Sequence, residues 1–233
     1  MIQIICGGIG SGKTISVVRM IAQRDFKAYT NFNTVNLESH RIKWKDIINK
    51  IAATTNKNGE VTKYDYTVNF KFWENAMNKE PADIYIDELQ EFASSRRSIS
   101  KANQTASQWA SQIRKVLGYD ELNNLTLITQ RPMSCDITFR ELAHQWILCK
   151  KQLIPKHIPT VMHDGETIQL PLTLIWQYHF NGDRISTEGI NLENLHAMAR
   201  LKRFNYQDCF VANNYYKYYN SYEIIQFGGQ EYV

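Results

Sequence analysis

A glycine-rich stretch near the start of the chain constrains the fold more than any other feature. Residues 7–14 read Gly-Gly-Ile-Gly-Ser-Gly-Lys-Thr, which fits the pattern G-x-x-x-x-G-K-[ST] of a phosphate-binding loop. Glycines let the backbone curl until successive N–H groups point at phosphate oxygens. The helix after such a loop aims the positive end of its dipole at the same anion. The pattern therefore predicts a strand, a tight loop and a helix, in that order.

The segments on either side of the loop fit this order. Residues 2–6 form a short apolar run with β-branched side chains, which is typical of a buried strand. After Thr14, apolar residues recur at helical spacing, among them Ile15, Val18 and Ile21. The alternative is an ordinary glycine turn between a strand and a helix, and the presence of the required context weighs against it.

The residue types in the loop predict its ligands. Lys13 can reach the β- and γ-phosphates of a nucleoside triphosphate, and the Thr14 hydroxyl can hold Mg²⁺. We therefore expect ATP and Mg²⁺ as the bound groups. The predicted nucleotide-binding residues are Gly8, Ile9, Gly10, Ser11, Gly12, Lys13 and Thr14.

A second signature is a pair of carboxylates after an apolar strand. Residues 83–88 read Asp-Ile-Tyr-Ile-Asp-Glu. Asp87 can bind Mg²⁺ through water, and Glu88 can act as the general base that polarises an attacking water. The alternative is that Asp87 only caps a following helix. The phosphate-binding loop upstream favours the functional interpretation.

A third polar group follows another apolar strand. Residues 124–129 form this strand, and Gln130 comes directly after it. The tip of such a strand lies beside the phosphate loop in a parallel sheet, so Gln130 could sense the γ-phosphate or orient water. The alternative is an ordinary polar residue at a strand end. The predicted catalytic residues are Lys13, Glu88 and Gln130, and the predicted metal ligands are Thr14 and Asp87.

Strands and helices alternate along the first part of the chain. Helices are predicted at residues 41–51, 69–78 and 101–117, with apolar strands between them. This alternation predicts an α/β fold with a mostly parallel sheet and helices on both faces, as in P-loop NTPases. Functional groups should then gather at the C-terminal edge of the strands.

The rest of the chain predicts a smaller appendage. We expect residues 1–150 to form the P-loop ATPase core and residues 151–233 to form a C-terminal extension that completes the same domain. Residues 152–170 contain prolines and histidines and are expected to be irregular. Residues 161–185 predict an antiparallel hairpin appended to the sheet. The polar residues 54–65 predict a loop or a hairpin.

Net charge, hydropathy and cysteine spacing limit the partners and the cellular environment that we expect for this chain. The 233 residues carry a net charge of +4, a mild excess that permits a polyanionic partner without requiring one. The sequence has no run of about 18 apolar residues, so we expect no direct membrane insertion. The four cysteines lack C-x-x-C spacing, which is typical of small apolar side chains in a reduced protein.

These motifs resemble the FtsK–HerA superfamily, with its RecA/FtsK-like sheet. Within it, the pattern is most similar to the zonula occludens toxin-like and viral genome-packaging ATPases. The resemblance covers about residues 1–150. It rests on the glycine loop, Thr30-Asn31, residues 86–92 with Arg96-Arg97 after them, and residues 129–132 with Arg140 downstream.

The resemblance implies an ATP-hydrolysing motor that translocates double-stranded DNA and packages a viral genome into its capsid. Such proteins form homo-oligomeric rings, usually hexamers, in which an arginine of one subunit completes the neighbouring site. The candidates for this arginine finger are Arg96, Arg97, Arg131 and Arg140. A capsid, portal or vertex protein is the implied partner. The implied location is the host cytoplasm or the virion.

Basic and aromatic residues offer candidate DNA contacts. The local basic groups are Lys150, Lys151 and Lys156, followed later by Arg200, Lys202 and Arg203. They could track DNA phosphates, or they could be solvated surface charges. The tyrosines between Tyr206 and Tyr232 could stack on bases, but such residues more often pack in a core or an interface.

Three other functions remain open from the sequence. A related assembly ATPase could act on protein during virion or filament morphogenesis. Relatives in filamentous phages usually carry a membrane segment after the ATPase domain, and its absence from these residues favours the packaging motor. A nucleotide kinase would not need Glu88, because its phosphate acceptor is not water. A binding module without turnover would be expected to lack Lys13 or Glu88, and both are present.

Overall fold

The computed structural model describes residues 1–77, 81–89, 101–117 and 123–220. The strands are β1 (Ile2–Cys6), β2 (Lys27–Thr30), β3 (Ser39–Arg41), β4 (Ile48–Thr55), β5 (Val61–Val68), β6 (Ala82–Ile86), β7 (Leu125–Thr129), β8 (Gln145–Val161), β9 (Thr167–Asn181) and β10 (Tyr206–Val211). The α-helices are α1 (Lys13–Gln23), α2 (Trp44–Ile47), α3 (Phe70–Met77), α4 (Lys101–Leu117), α5 (Ile137–Leu142) and α6 (Leu192–Arg200). A 3₁₀ helix at Ala212–Tyr218 follows β10.

One sheet organises the chain, with the strand order β10-β9-β8-β1-β7-β6-β2-β3. The strands from β8 to β3 pair in parallel, whereas β9 and β10 add antiparallel pairs at the other end. Strand β7 lies between β1 and β6, although it follows both in sequence. The ends of β1, β7 and β6 are therefore neighbours at one edge of the sheet.

The central strands are apolar on both faces because both faces are covered. All residues of β1, β6 and β7 are buried, as expected for parallel strands between two helical layers. On one face, Trp73 of α3 and Trp109 of α4 join the larger core. On the other face, α1 and the 3₁₀ helix pack over Ile5 and Ile147. The predicted α/β fold, with a mostly parallel sheet and helices on both faces, is confirmed.

The antiparallel appendage is larger than predicted. The prediction of an irregular segment at 152–170 was wrong, because β8 continues to Val161 and pairs with β9 along its whole length. Strand β1 pairs with β8 only as far as Leu148, so one side of the rest of β8 lacks β1 as a neighbour. Prolines are tolerated on such edges and at bulges. A register shift between Ile154 and His157 accommodates Pro155.

The helix predicted at 41–51 is also shorter in the structure. Helix α2 ends at Ile47, and the chain continues directly into β4. The β-branched residues that follow find an antiparallel partner in β5, and this pairing overrides the helical spacing. The polar stretch at 54–65 forms the end of this hairpin, as one of the two predicted alternatives, with its turn at residues 56–60 and Gly59 at φ +80°.

The length and hydropathy of each helix decide whether it could span a membrane. Within the ranges given above, no helix is both long and apolar enough to cross a membrane.

Candidate functional site

The phosphate-binding loop connects β1 to α1 at the C-terminal edge of the sheet. Gly12 is the N-cap of α1 and adopts φ +94°, a left-handed conformation that favours glycine. A Cβ atom at Gly12 would lie 2.3 Å from Cδ1 of Ile175, on β9. Glycine is therefore required here for two reasons, the backbone angle and the close approach of the appendage.

Lys13 points back into the loop. Its Nζ donates a hydrogen bond to the carbonyl oxygen of Gly8 at 3.0 Å, and the residue is 7% exposed. Burial lowers the pKa of Lys13, and the nearby charges of Asp87 and Glu88 oppose this shift. The ammonium is thus enclosed by the loop, at the place where an incoming anion would be held by backbone N–H groups.

Thr14 and Asp87 meet across the sheet edge. The Thr14 hydroxyl donates to Oδ2 of Asp87 at 2.7 Å, and burial raises the pKa of the Asp87 carboxyl. Mg²⁺ prefers such oxygen ligands and takes one or two carboxylates together with substrate phosphates, keeping several waters. No cluster of three or more metal-binding side chains was found among the described residues. One hydroxyl and one carboxylate suit Mg²⁺ held jointly with a phosphate, because phosphate oxygens and waters supply the remaining ligands.

Asn31 fixes the backbone of Asp87 from the neighbouring strand. It follows β2, which pairs with β6. The Asn31 side chain accepts a hydrogen bond from the Asp87 N–H at 2.7 Å and donates to the Asp87 carbonyl at 2.9 Å. Both residues are nearly fully buried. This two-point contact holds the backbone from which the carboxylate projects.

Glu88 has an unusual backbone and a defined partner. Its φ is +53°, a region in which residues other than glycine are strained. Gln130 Nε2 donates to Oε1 of Glu88 at 2.5 Å. Because β7 lies between β1 and β6, Gln130 stands between the loop and the carboxylates. The structure thus brings together Lys13, Thr14, Asp87, Glu88 and Gln130 as the sequence predicted, and their chemical roles stay predictions.

These side chains line a cavity of about 480 Å³. This volume is in the range of small-molecule sites. The phosphate loop and the strand ends form one wall. A second wall comes from the appendage and the chain after β10, and its residues are Lys151, Met162, Ile168, Leu170, Ile175, Tyr216 and Tyr219.

Two of the four candidate finger arginines can be placed. Arg131 follows Gln130 and is exposed, and its backbone N–H donates to Thr129 Oγ1 at 3.0 Å. Arg140 is 7% exposed and donates to the Thr187 carbonyl of its own chain. That position does not suit a side chain that must reach a neighbouring subunit. Arg96 and Arg97 lie outside the described residues.

The structure joins basic groups that are distant in sequence. Burial, and after it the charges of Lys150 on β8 and Arg200 on α6, lower the pKa of His196. Lys202 and Arg203 follow Arg200 and are exposed. We call Lys150, Arg200, Lys202 and Arg203 the basic surface.

The tail tyrosines that can be described pack against the core. Tyr215, Tyr216, Tyr218 and Tyr219 are partly buried against the cluster under α1. Tyr206 is 51% exposed and stacks on His179, with ring centroids 3.9 Å apart. Tyr222 and Tyr232 lie outside the described residues. Most of the described tail tyrosines thus pack against the core of their own chain.

The sequence prediction missed two parts of the site. Asn31 could have been found, because it follows a strand at the same edge as Gln130 does. The apolar wall could not, because it depends on how far β8 and β9 extend and on where the hairpin lies.

The fold and the site define the class of protein: an α/β domain with a P-loop for a nucleoside triphosphate. Residues 1–171 match the Zonular occludens toxin (Zot) family. The chain therefore belongs to the Zot family. No curated protein matches it significantly.

Two solved structures are similar to the chain. The N-terminal domain of zonular occludens toxin from Neisseria meningitidis has 17% identity and a TM-score of 0.48, over 90% of this chain and 93% of that one. The genome packaging NTPase B204 from Sulfolobus turreted icosahedral virus 2, in complex with ATP-gammaS, has 14% identity and a TM-score of 0.38. That match covers 63% of this chain and 74% of the other.

Proposed function

We propose that this protein hydrolyses ATP with Mg²⁺ and uses the energy to translocate double-stranded DNA during packaging of a viral genome. The observation that supports ATP hydrolysis is the hydrogen bond between Gln130 and Glu88, which lies beside the phosphate loop. It holds a carboxylate in a fixed orientation at the edge where the γ-phosphate would lie. A carboxylate at this place would suit a water nucleophile, whereas a nucleotide kinase transfers the phosphoryl group to an acceptor other than water.

The residues of this site supply a proton acceptor and charge stabilisation for the proposed hydrolysis. Glu88 accepts a proton from water as its oxygen attacks the γ-phosphorus, and the bond from that phosphorus to the bridging oxygen breaks. ADP and phosphate leave. Lys13 and the loop N–H groups stabilise the charge on the phosphate oxygens. Bound Mg²⁺ would neutralise negative charge on the β- and γ-phosphates, and Thr14 and Asp87 would hold it.

The basic surface supports DNA as the partner. Helix α6 packs against β8, and the charges of Lys150 and Arg200 both lower the pKa of His196, so these two cations from separate basic stretches lie beside one histidine. Neutralisation of phosphates by clustered cations gives salt-dependent, sequence-independent binding. A translocating motor needs contacts of this kind.

The test is steady-state ATP hydrolysis by the full chain, with and without double-stranded DNA at low salt. Lys13→Ala is the blank, and we expect it to remove the activity. Replacing Lys150 and Arg200 by glutamine should reduce DNA stimulation and lower the salt slope by about one per lost phosphate contact. The matched control replaces exposed Lys45 and Lys71 by glutamine. Hydrolysis that does not depend on Lys13 would refute the assignment.

A specific observation favours a second candidate, an assembly ATPase that acts on protein. The β4–β5 hairpin exposes apolar side chains, with Ile51 50%, Val61 36% and Tyr64 39% exposed. Exposed apolar side chains of this kind can mark protein contacts. Lys13-dependent hydrolysis that is indifferent to DNA would support this candidate over the DNA motor.

A homo-oligomeric ring, a hexamer by the family resemblance, is part of the proposal. A finger must reach a neighbour's site, and exposed Arg131 next to Gln130 is the described candidate that could do so. A capsid, portal or vertex protein would be the docking partner, in the host cytoplasm or on the virion. Sedimentation with and without a non-hydrolysable ATP analogue tests the ring, and a monomer under both conditions would contradict it.

A further inference from the structure

The two walls of the cavity differ in chemistry, and the proposed hydrolysis uses only one of them. The phosphate loop and the strand ends supply charges and hydrogen-bonding groups. The second wall is largely aliphatic and aromatic. Its apolar members are Met162, Ile168, Leu170, Ile175, Tyr216 and Tyr219. We call these six residues the apolar wall.

The apolar wall stands at a fixed place relative to the phosphate loop. Ile175 packs so closely over Gly12 that a Cβ there would be 2.3 Å from its Cδ1. Ile168 and Leu170 belong to the same strand, and they lie on β9 beyond Ile175 toward the hairpin turn. Tyr216 and Tyr219 pack against the cluster that includes Ile15 of α1. A ligand anchored at Lys13 by its phosphates would therefore meet this wall with its other end.

The other end of a nucleotide is a flat, largely apolar base. Bases gain affinity by stacking and packing on aromatic and aliphatic surfaces, and this gain is tolerant of base identity. The side chains of the apolar wall contribute two tyrosine hydroxyls as polar groups, and Lys151 lines the cavity beside them. Most of the contact area available to a base is thus carbon.

We propose that the apolar wall seats the base of the bound nucleotide and recognises it by contact area rather than by hydrogen bonds to its edge. The proposal rests on the proposed function, since it requires the triphosphate in the loop. It assigns a binding role to the hairpin of β8 and β9, and it makes the site one for purine nucleotides in general. ATP and GTP should bind alike, and smaller pyrimidines should bind less tightly.

The first measurement is calorimetric titration of the full chain with Mg²⁺ and, in turn, ATP, GTP, CTP and inorganic tripolyphosphate. We expect ATP and GTP to agree within about threefold and tripolyphosphate to bind roughly 10- to 100-fold more weakly than ATP, as loss of one stacked base predicts. A preference of more than about 100-fold for one purine would overturn the proposal, because such a preference requires hydrogen bonds to the edge of the base.

The second measurement uses variants of the wall. Ile168→Ala combined with Leu170→Ala should weaken ATP roughly 10-fold through lost apolar contact and leave tripolyphosphate unchanged. Val161→Ala is the matched control, because Val161 lies on the same hairpin, is 43% exposed and does not line the cavity. Ile168→Ala alone is the fallback if the double variant melts early, since Ile168 is 39% exposed.

A third variant pair separates packing from hydrogen bonding. Tyr216→Phe should retain ATP affinity, whereas Tyr216→Ala should lose about as much as the double variant. Equal loss in both would overturn the proposal, because it would assign the effect to the hydroxyl.

The two proposals fail in different ways. If wild type binds ATP and tripolyphosphate equally, and both depend on Lys13, then the apolar wall does not seat the base although the loop still binds phosphate. If Lys13→Ala leaves ATP binding unchanged, then the proposed function itself is wrong, and the base proposal falls with it.

Discussion

The polar and apolar walls of the cavity are held together by different forces. On the polar wall, directed hydrogen bonds join Thr14 to Asp87, Asn31 to Asp87 and Gln130 to Glu88. On the apolar wall, side chains such as Ile168 and Leu170 meet the cavity by surface contact. Hydrogen bonds depend steeply on angle and distance, whereas apolar contact scales with area. Substitutions on the polar wall should therefore abolish ATP hydrolysis. Substitutions on the apolar wall should lower the affinity for the nucleotide by an amount that depends on the contact area lost.

The sharpest test of this difference is Glu88→Gln. We expect kcat for ATP hydrolysis to fall by about 10²- to 10⁴-fold, because the amide cannot accept the proton of water. The affinity for ATP should be retained, and single-turnover kinetics with direct binding would separate the two. Glu74→Gln, at an exposed position, is the control. If Glu88→Gln weakened binding and turnover equally, the proposed division between the walls would be lost.

Asn31→Ala probes the support of the polar wall. It leaves the N–H and carbonyl of buried Asp87 without these bonds, at about 1–3 kcal/mol for each group. We expect the free energy of unfolding to fall by about 3 kcal/mol, measured by urea denaturation. Asn33→Ala is the matched control, because Asn33 is exposed, and it should change stability by less than about 0.5 kcal/mol. An equal effect of both would show that the two-point contact contributes nothing.

Gly12→Ala tests the place where the walls touch. Alanine at φ +94° is strained, and its Cβ would overlap Ile175, so we expect about 2 kcal/mol of destabilisation. Combining it with Ile175→Ala should recover the part due to overlap but leave the part due to the backbone. A double-mutant cycle gives that coupling energy. Strict additivity would mean that the two walls are independent at this contact.

The smallest expected effect is a loss of stability at mildly acidic pH, and its source lies away from both walls. Burial lowers the pKa of His179 to about 4, although Asp208 opposes the shift and Arg19 adds to it. The unfolded chain then binds more protons than the folded chain between about pH 4 and 6.5, so stability is lost as the pH falls through this window. At pH 5.5 the loss from this group should be about 1 kcal/mol.

Thermal melts from pH 7 to pH 4 would measure this effect. His179→Gln should flatten the curve over that window, and His157→Gln, at an exposed position, should not. Identical curves for wild type and His179→Gln would contradict the assignment to His179.

The polar wall could be predicted from the sequence, and the apolar wall could not. The short pattern around Lys13 specifies its own backbone, and the parallel sheet brings Asp87 and Gln130 to the same edge wherever they occur in the chain. The apolar wall depends on non-local pairing. Residues 161–185 predicted a hairpin, but nothing local showed that β8 would continue through Pro155 or that Ile175 would cover Gly12.

A similar limit explains the helix predicted at 41–51. Its apolar spacing suits a helix locally, but the residues after Ile47 pair with β5, and this pairing is decided by residues that follow in the sequence. Local propensity is a weak prior where a partner strand is available. The role of Asn31 was within reach, because it obeys the same strand-end rule that identified Gln130.

The contact between Asn31 and Asp87 also links the end of β2 to the nucleotide site through hydrogen bonds. From the tip of β2, a series of hydrogen bonds runs through the backbone of Asp87 to its carboxylate and on to the Thr14 hydroxyl. Beyond β2 lies β3, the outermost strand of the described sheet. Because these bonds are directional, a displacement of the Asp87 backbone would strain both bonds to Asn31. We therefore expect a displacement of this backbone to be measurable as altered amide exchange in β2.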